Sequence, residues 1–420
     1  MRRDDPAGRL PPGRLSGRAA LRTAVWQRLA AREDELVALC QQLVRIPSVN
    51  GVHFEQGVVD AVAAALRVLG LAPEMPTFEP GRPNVVATLG TGRAGLLFLA
   101  HSDTVAVGES SHWTVDPFGG EVRAGRLYSR GACDNKAGLA VAVVLLGILH
   151  EFEAELNGRV LLACIPDEES GATGRLGIMP LLEAGLLSAT QAIYTYPGLD
   201  VLAIGHRGLL RLRARAIGEA AHTGGDEWER GERGANAVTA MARLLLAVEQ
   251  WQPPFQPSPA FPNRRPVITP GTLIRGGRME SMVPPDCEAM IDMRLLPGQE
   301  SQTLIEEVRA MADAIARERP RVHFEIETPV DLPAAFIPAE TPIVQRLAHW
   351  AEALTGRRPA IAGVGPANEG YLLIQAGIPT VCGFGPPGGN AHAADEYVEV
   401  AGLLLAAKIY AAAALDLLME

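Results

Sequence analysis

The run Arg159-Val160-Leu161-Leu162-Ala163-Cys164-Ile165 is apolar after its first residue and leads straight into Pro166-Asp167-Glu168-Glu169-Ser170-Gly171. A short unbroken apolar run closed by turn residues reads as a buried strand. Two adjacent acids then stand at a strand end, where open α/β sheets place their chemistry. Neighbouring carboxylates are costly to ionise together unless a cation or a proton is shared between them. One metal ligand beside one general base fits that constraint. A solvated acidic turn is the plain alternative, and other segments must decide between them.

At 420 residues the chain is long enough for two domains. Its 48% hydrophobic and 20% charged content suits a globular protein with a sizeable core. A net charge of −10 argues against a nucleic-acid binder working through a broad basic surface. The five cysteines, Cys40, Cys133, Cys164, Cys287 and Cys382, are scattered and form no CxxC pair, as expected for reduced thiols in a cytoplasmic compartment. The longest apolar candidate, 139–149, falls short of a membrane span, and no apolar run follows Arg2, Arg3, Arg9 and Arg14 as a secretory signal would require. Neither a membrane association nor a signal is therefore expected.

Residues 1–20 are rich in Arg, Gly and Pro and read as a disordered tail. Helical spacing follows over 24–44 and 54–69, strands over 84–89 and 95–100, and a mostly apolar helix over 134–152. Short strands are expected at 188–194 and 201–205. Beyond them the pattern changes to a strand at 210–217, a helix at 235–251, a proline-rich loop at 253–270, strands at 272–274 and 287–295, a helix at 302–319 and a strand at 322–327. This β-α-β-β-α-β order is the ferredoxin-like arrangement. It divides the chain into a larger α/β domain with a mixed sheet, residues 21–209 and 329–420, and an inserted α+β domain, 210–328. A helix at 343–355, a strand at 380–383 and a helix at 400–418 complete the larger domain.

Three further segments carry candidate chemistry. His101-Ser102-Asp103 follows an apolar strand, and an acid two residues on suits an acceptor that fixes the imidazole tautomer for metal binding. Asp134 lies in a turn before a helix, where it is either an N-cap or a bridge between two cations. His392 lies in a glycine-rich loop. Nitrogen and oxygen ligands without thiolate suit zinc, and also cobalt or manganese. Glu168, adjoining Glu169, is then free to deprotonate a water held by the metal.

In this combination and order the chain resembles the dinuclear zinc aminoacylase, acetylornithine deacetylase, succinyl-diaminopimelate desuccinylase and carboxypeptidase G superfamily, metallopeptidase clan MH. The matching pieces run from His101-Ser-Asp103-Thr-Val through Tyr128-Ser-Arg-Gly-Ala-Cys-Asp134-Asn-Lys, Asp167-Glu-Glu-Ser-Gly171, Gly205-His-Arg-Gly208 and Asp292-Met-Arg294 to His392-Ala-Ala-Asp-Glu-Tyr-Val398. The resemblance implies a zinc-peptidase-like catalytic domain holding one or two ions, with the inserted domain as lid and homodimer contact. It implies that His101 binds one metal, Asp134 bridges both, and Glu169 with His392 holds the second. Glu168 would be the general base, Asp103 would orient His101, and the peptide bond after Asp134 would be cis. His222 resembles a histidine that reaches across the dimer to stabilise the oxyanion, and is otherwise a surface residue. Arg294 resembles a residue that binds substrate carboxylates, or else forms a strand-end ion pair with Asp292.

The chain also departs from that pattern. Tyr196, in Tyr194-Thr195-Tyr196-Pro197, stands where a carboxylate is the last ligand of the first metal, and a phenol that ionises near pH 10 is a poorer ligand. Asp200 is a nearby acid that could substitute for it. Asn368-Glu369-Gly370 also differs, and leaves Glu369 either contacting a cationic substrate group or as a loop acid. The expected activity is metal-dependent hydrolysis of an amide in an N-acyl amino acid or dipeptide-like small molecule. A one-metal member with a specialised biosynthetic amide reaction, and a non-catalytic binding protein, are the alternatives.

Overall fold

The computed structural model describes residues 17–92 and 95–419. Most of the expected tail lies outside them, but its last residues do not form one. Arg18–Ala31 is already a helix, burying Leu21, Val25 and Leu29. The single helix expected over 24–44 is broken at Arg32 (φ −113°, ψ 21°) and restarts as Glu33–Val44. Glu33, Asp34 and Glu35 in its first turn stabilise a new helix N-terminus through the dipole.

The central sheet has five strands in the order Val85–Gly90, Arg159–Ile165, Gly95–His101, Gln191–Tyr194 and Thr380–Val381. Only the first is antiparallel to its neighbour; the other four run parallel. Side chains alternate across the two faces. Leu96, Phe98 and Ala100 enter the core beneath the helices Ala137–Glu151 and Val400–Leu418, while Leu97 and Leu99 pack with Ile178 and Leu181 on the other side. Burial on both faces is why these strands read as unbroken apolar runs. Parallel pairing brings His101, Ile165, Tyr194 and Val381 to one edge of the sheet.

Two small sheets complete this edge. One is built on Gly198–His206, flanked by Ala335–Phe336, Ala360–Val364 and Gly383–Gly385. The other pairs Gly388–Gly389 with Tyr397–Glu399, Arg126–Tyr128 and Glu121–Arg123. It draws the loop carrying His392 against the turn that carries Asp134.

The inserted stretch has its own core and an antiparallel sheet, ordered His323–Leu332, Gly208–Ile217, Asp286–Leu295 and Val267–Gly276, with the helices Ala237–Gln250 and Ser301–Glu318 packed on it. The proline-rich segment read as loop to residue 270 turns into strand at Val267. Pro270 is accommodated because this is the edge strand and the register slips beside its partner Ile291. The last strand likewise continues past 327, through an irregularity at Pro329 between Glu327 and Val330.

The loop between Ala237–Gln250 and Val267–Gly276 reaches back to the larger unit. Phe261 is 1% exposed within that unit's core, and Gly363 N donates to Ala260 O at 2.5 Å. A Cβ at Gly363 would lie 2.2 Å from the Phe261 ring, so glycine is required there.

Two helical segments, Ala132–Glu151 and Val400–Leu418, are long and apolar enough to cross a bilayer, which corrects the sequence reading of no such stretch. They are 94% and 61% buried inside the protein, so their apolar surface is already satisfied by the core.

Gly138 shows how tightly the Ala137–Glu151 helix meets the sheet edge. A Cβ there would stand 2.1 Å from Thr195 O. Gly138→Ala is expected to destabilise the protein by about 1–3 kcal/mol, the usual cost of overpacking. Urea unfolding measures this, and an unshifted midpoint would contradict the packing described.

Candidate metal centre

His101 ends the central strand, and the chain turns there under three constraints. Its backbone N donates to Asn135 Oδ1 at 3.0 Å, its Nδ1 lies 3.0 Å from Asp103 O and 3.3 Å from Asp103 Oδ1, and its Nε2 lies 3.0 Å from Asp134 Oδ1. Asp103 is itself held, its Oδ2 accepting from Asn50 Nδ2 at 2.7 Å and from Glu169 N at 2.9 Å. Asp103 thus meets the His101 ring through both its carbonyl and its carboxylate.

Asp134 sits in a distorted turn, Ala132–Lys136, and its peptide bond to Asn135 is cis. Its carboxylate does not cap a helix. One oxygen meets His101 and the other lies 3.4 Å from His392 Nε2. Asn135 turns the opposite way, donating Nδ2 to Thr195 O at 2.8 Å while accepting from His101 N, and so ties two strand ends together.

After the strand Arg159–Ile165, Asp167 adopts a left-handed conformation (φ 72°) and Glu168–Ser170 forms one tight turn. Glu169 points to His392, Oε1 to Nε2 3.1 Å. Glu168 is buried beside them, close enough to His101, Glu169 and Asp134 for their charges to act on it. Ligand atoms of His101, Asp134 and Glu169 all lie within 4.8 Å of one another, and His392 closes the group from the exposed side.

Charges in this group are mutually perturbed. Burial alone would raise the Asp134 carboxyl, but hydrogen bonds from His101 and His392 hold it down to about 2. The same contacts from Asp134 and Glu169 push His392 up to about 10. Burial opposes the His101 imidazolium, yet Asp103 and Asp134 raise it well above its ordinary range. Burial pushes the Glu168 carboxyl up to about 8. Without an ion, protons on two histidines offset the clustered acids.

Asp134, Glu169 and His392 supply two carboxylates and an imidazole, a donor set that fits a divalent ion such as zinc, cobalt or manganese. The position beside His101 is poorer. There the donors are His101, the shared Asp134 and the Tyr196 phenol, which burial and then Glu168 push well above its ordinary range. Asp200 does not supply the missing acid. It is exposed, 3.7 Å from Arg357.

The remaining expected residues are placed as follows. Arg294 forms an ion pair with Asp292, Nε to Oδ1 2.8 Å, in a cluster that includes Arg211. His222 is exposed, its Nδ1 accepting from Gly224 N at 3.1 Å. Glu369 is not a solvated loop acid. It is fully buried, and its Oε1 accepts from Gly174 N at 2.7 Å, pinning the segment that follows the two acids.

Comparison with known proteins decides the family. Residues 97–416 match the model of peptidase family M20/M25/M40. The chain belongs to that family. It is 30% identical over 387 residues to a succinyl-diaminopimelate desuccinylase of Methylorubrum extorquens, covering 89% of this chain and 96% of that one. It is also 30% identical over 389 residues to the Gluconacetobacter diazotrophicus enzyme of the same name, covering 90% and 95%. Among solved structures, an aminopeptidase PepT from Bacillus cereus aligns at TM-score 0.73 with 20% identity, covering 92% of this chain and 98% of that one. A Bacillus subtilis M20 protein described as a dinuclear metal binding peptidase aligns at 0.69 with 17% identity, covering 93% and 99%. These two share the fold of this M20 chain. The family makes it a hydrolytic metal-dependent enzyme acting on amide bonds.

One residue essential to this geometry was not singled out from sequence. Glu396 is fully buried, forms an ion pair with buried Arg130, and accepts from the backbone N–H groups of Gly131, Cys133 and Asp134. It holds the whole turn that presents Asp134. Its only sequence signal is its place in the Asp395-Glu396-Tyr397 run after His392.

Two outcomes follow from this M20 site. Glu396→Gln leaves Arg130 buried without its counter-charge, so a loss of about 3–5 kcal/mol is expected in unfolding experiments. Divalent-ion affinity should fall about 10–100-fold, read by calorimetry. Second, a divalent ion must displace the proton from His392. In the metal-free protein His392 is raised from 6.5 to about 10, so its contribution to stability is complete below 6.5 and lost as pH rises through about 10. Ion affinity should accordingly rise with pH across that window, with proton release visible as buffer-dependent binding heat. Affinity independent of pH would contradict this.

Proposed function

We propose that the chain hydrolyses the amide bond of an N-acyl amino acid or dipeptide-like compound, with Glu168 as general base. The observation that carries this reading is the position of Glu168. It is 8% exposed and lies beside His101, Asp134 and Glu169, yet is not among the residues whose ligand atoms come together. Burial moves its proton affinity towards neutrality, to about 8 in the metal-free protein. A general base serves best when its pKa lies near the working pH. The desuccinylase relatives support an N-acyl substrate, and the peptidase neighbours are compatible with a dipeptide-like one.

Asp134, Glu169 and His392 would hold a divalent ion, which supplies Lewis-acid polarisation of the carbonyl and acidification of water. Glu168 takes the proton of the attacking water and returns it to the departing amine. Asp103 keeps the His101 ring fixed, and Glu396 keeps Asp134 in place during the reaction.

His222 enters this proposal from a second copy of the chain. Because its Nδ1 accepts from Gly224 N, its Nε2 carries the proton and can donate to an oxyanion. The largely exposed edge strand Val267–Gly276 is the surface through which two copies would pair.

Glu168→Gln tests the reading. Hydrolysis of N-succinyl amino acids should fall about 10²–10⁴-fold, as loss of a general base does. Folding and bound-ion content should be retained. Unchanged turnover would remove Glu168 from the mechanism.

A further inference from the structure

We infer that this chain binds its two divalent-ion positions unequally: one ion is held firmly by Asp134, Glu169 and His392, and the position beside His101 is too weak to be filled alongside it. The inference rests on the proposed metal centre and asks what Tyr196 does to it.

The geometry around Tyr196 is specific. The strand Gln191–Tyr194 delivers it to the sheet edge, where Thr195 is locked by its N–H to Leu99 O at 3.0 Å and by Asn135 Nδ2 on its carbonyl at 2.8 Å. The Tyr196 ring centroid lies 5.6 Å from that of His101 and 4.6 Å from that of Tyr194. The phenol therefore stands at the His101 side of the centre, with the Glu168 carboxyl near enough for its charge to act on it.

Charge separates the two positions. The outer one offers two carboxylates and an imidazole. The inner one offers an imidazole, a carboxylate already shared with the outer ion, and a neutral phenol. A second cation placed there would sit close to the first with less anionic charge to offset their repulsion. A neutral phenol in the place of a carboxylate brings no charge to a second cation and is the poorer ligand. The acids around the phenol already have other parts in the proposed centre: Asp134 and Glu169 hold the outer ion and Glu168 is the base, while Asp200 is exposed elsewhere.

The experiment is a metal titration of the purified full-length protein with zinc or cobalt, followed by equilibrium dialysis and elemental analysis. One equivalent should be retained, with a second at least about 100-fold weaker, as loss of a full ligand must cost no less than loss of a ligand's supporting partner. Tyr196→Glu should retain two equivalents. Tyr196→Phe, which keeps the ring and its packing, should retain one with unchanged affinity, and metal addition to the wild type should give no tyrosinate absorption absent from this variant. His392→Ala should lose the firmly held ion, whereas His101→Ala should keep it. Two equivalents of comparable affinity in the wild type, or a metal-induced tyrosinate band lost in Tyr196→Phe, would overturn the inference and leave the hydrolase reading standing. Retention of no ion at all would overturn both.

Discussion

The site depends on one buried carboxylate. Glu396 draws in the Arg130 guanidinium and the backbone N–H groups of Gly131, Cys133 and Asp134, all from residues 130–134. Taking such a pair out of water costs several kcal/mol per ion, so its presence is weak evidence for stability. Its consequence is geometric. The turn Ala132–Lys136 departs from helical geometry at Asp134 and Asn135, and a backbone that leaves regular structure exposes N–H groups that need acceptors. Glu396 supplies them. Because Glu396 follows His392 by four residues, the same contact draws the His392 loop to the turn.

The second constraint is parallel pairing. Four strands leave the same edge of the sheet, and each carries its next few residues into the centre: His101 and Asp103, Glu168 and Glu169, Tyr196, and the Cys382 region that anchors Asn368 through its carbonyl. Asn135 and Glu369 then connect these ends laterally, one through Thr195 and the other through Gly174. Adjacent acids acquire different roles at this edge. The left-handed Asp167 starts a turn in which Glu169 bonds to His392 while Glu168 stays buried beside the group.

Much of this was legible in sequence because it is periodic or local. Strands buried on both faces give continuous apolar runs, and the ferredoxin-like unit follows from alternation at 210–217 and the helices beside it. His101, Asp134, Glu169 and His392 are each weak alone, and are joined by strand ends and loops expected to meet at one edge of the sheet and by the family resemblance of the segments that carry them. What was not legible depends on long-range contacts. Glu369 looks like a loop acid until the fold buries it against Gly174, 195 positions away. Asp200 looks like a neighbour of Tyr196 until its strand carries it to the surface. The break at Arg32 and the continuation of strand through Pro270 are cases where tertiary packing overrides a local pattern.

The same electrostatics bears on how the centre coexists with folding. A small metal domain folds only when its ion arrives, since nothing else offsets its ligands. Here the ligands hang from a sheet whose strands Gly95–His101 and Arg159–Ile165 are buried on both faces, with hydrophobic cores on either side. His101 and His392 bond directly to Asp134 and Glu169, and as imidazolium groups they neutralise those acids in the metal-free protein. Protons and a divalent ion thus compete for one pre-assembled arrangement. Binding costs little reorganisation of the chain and instead carries the work of removing protons, which sets ion affinity by pH more than by folding stability.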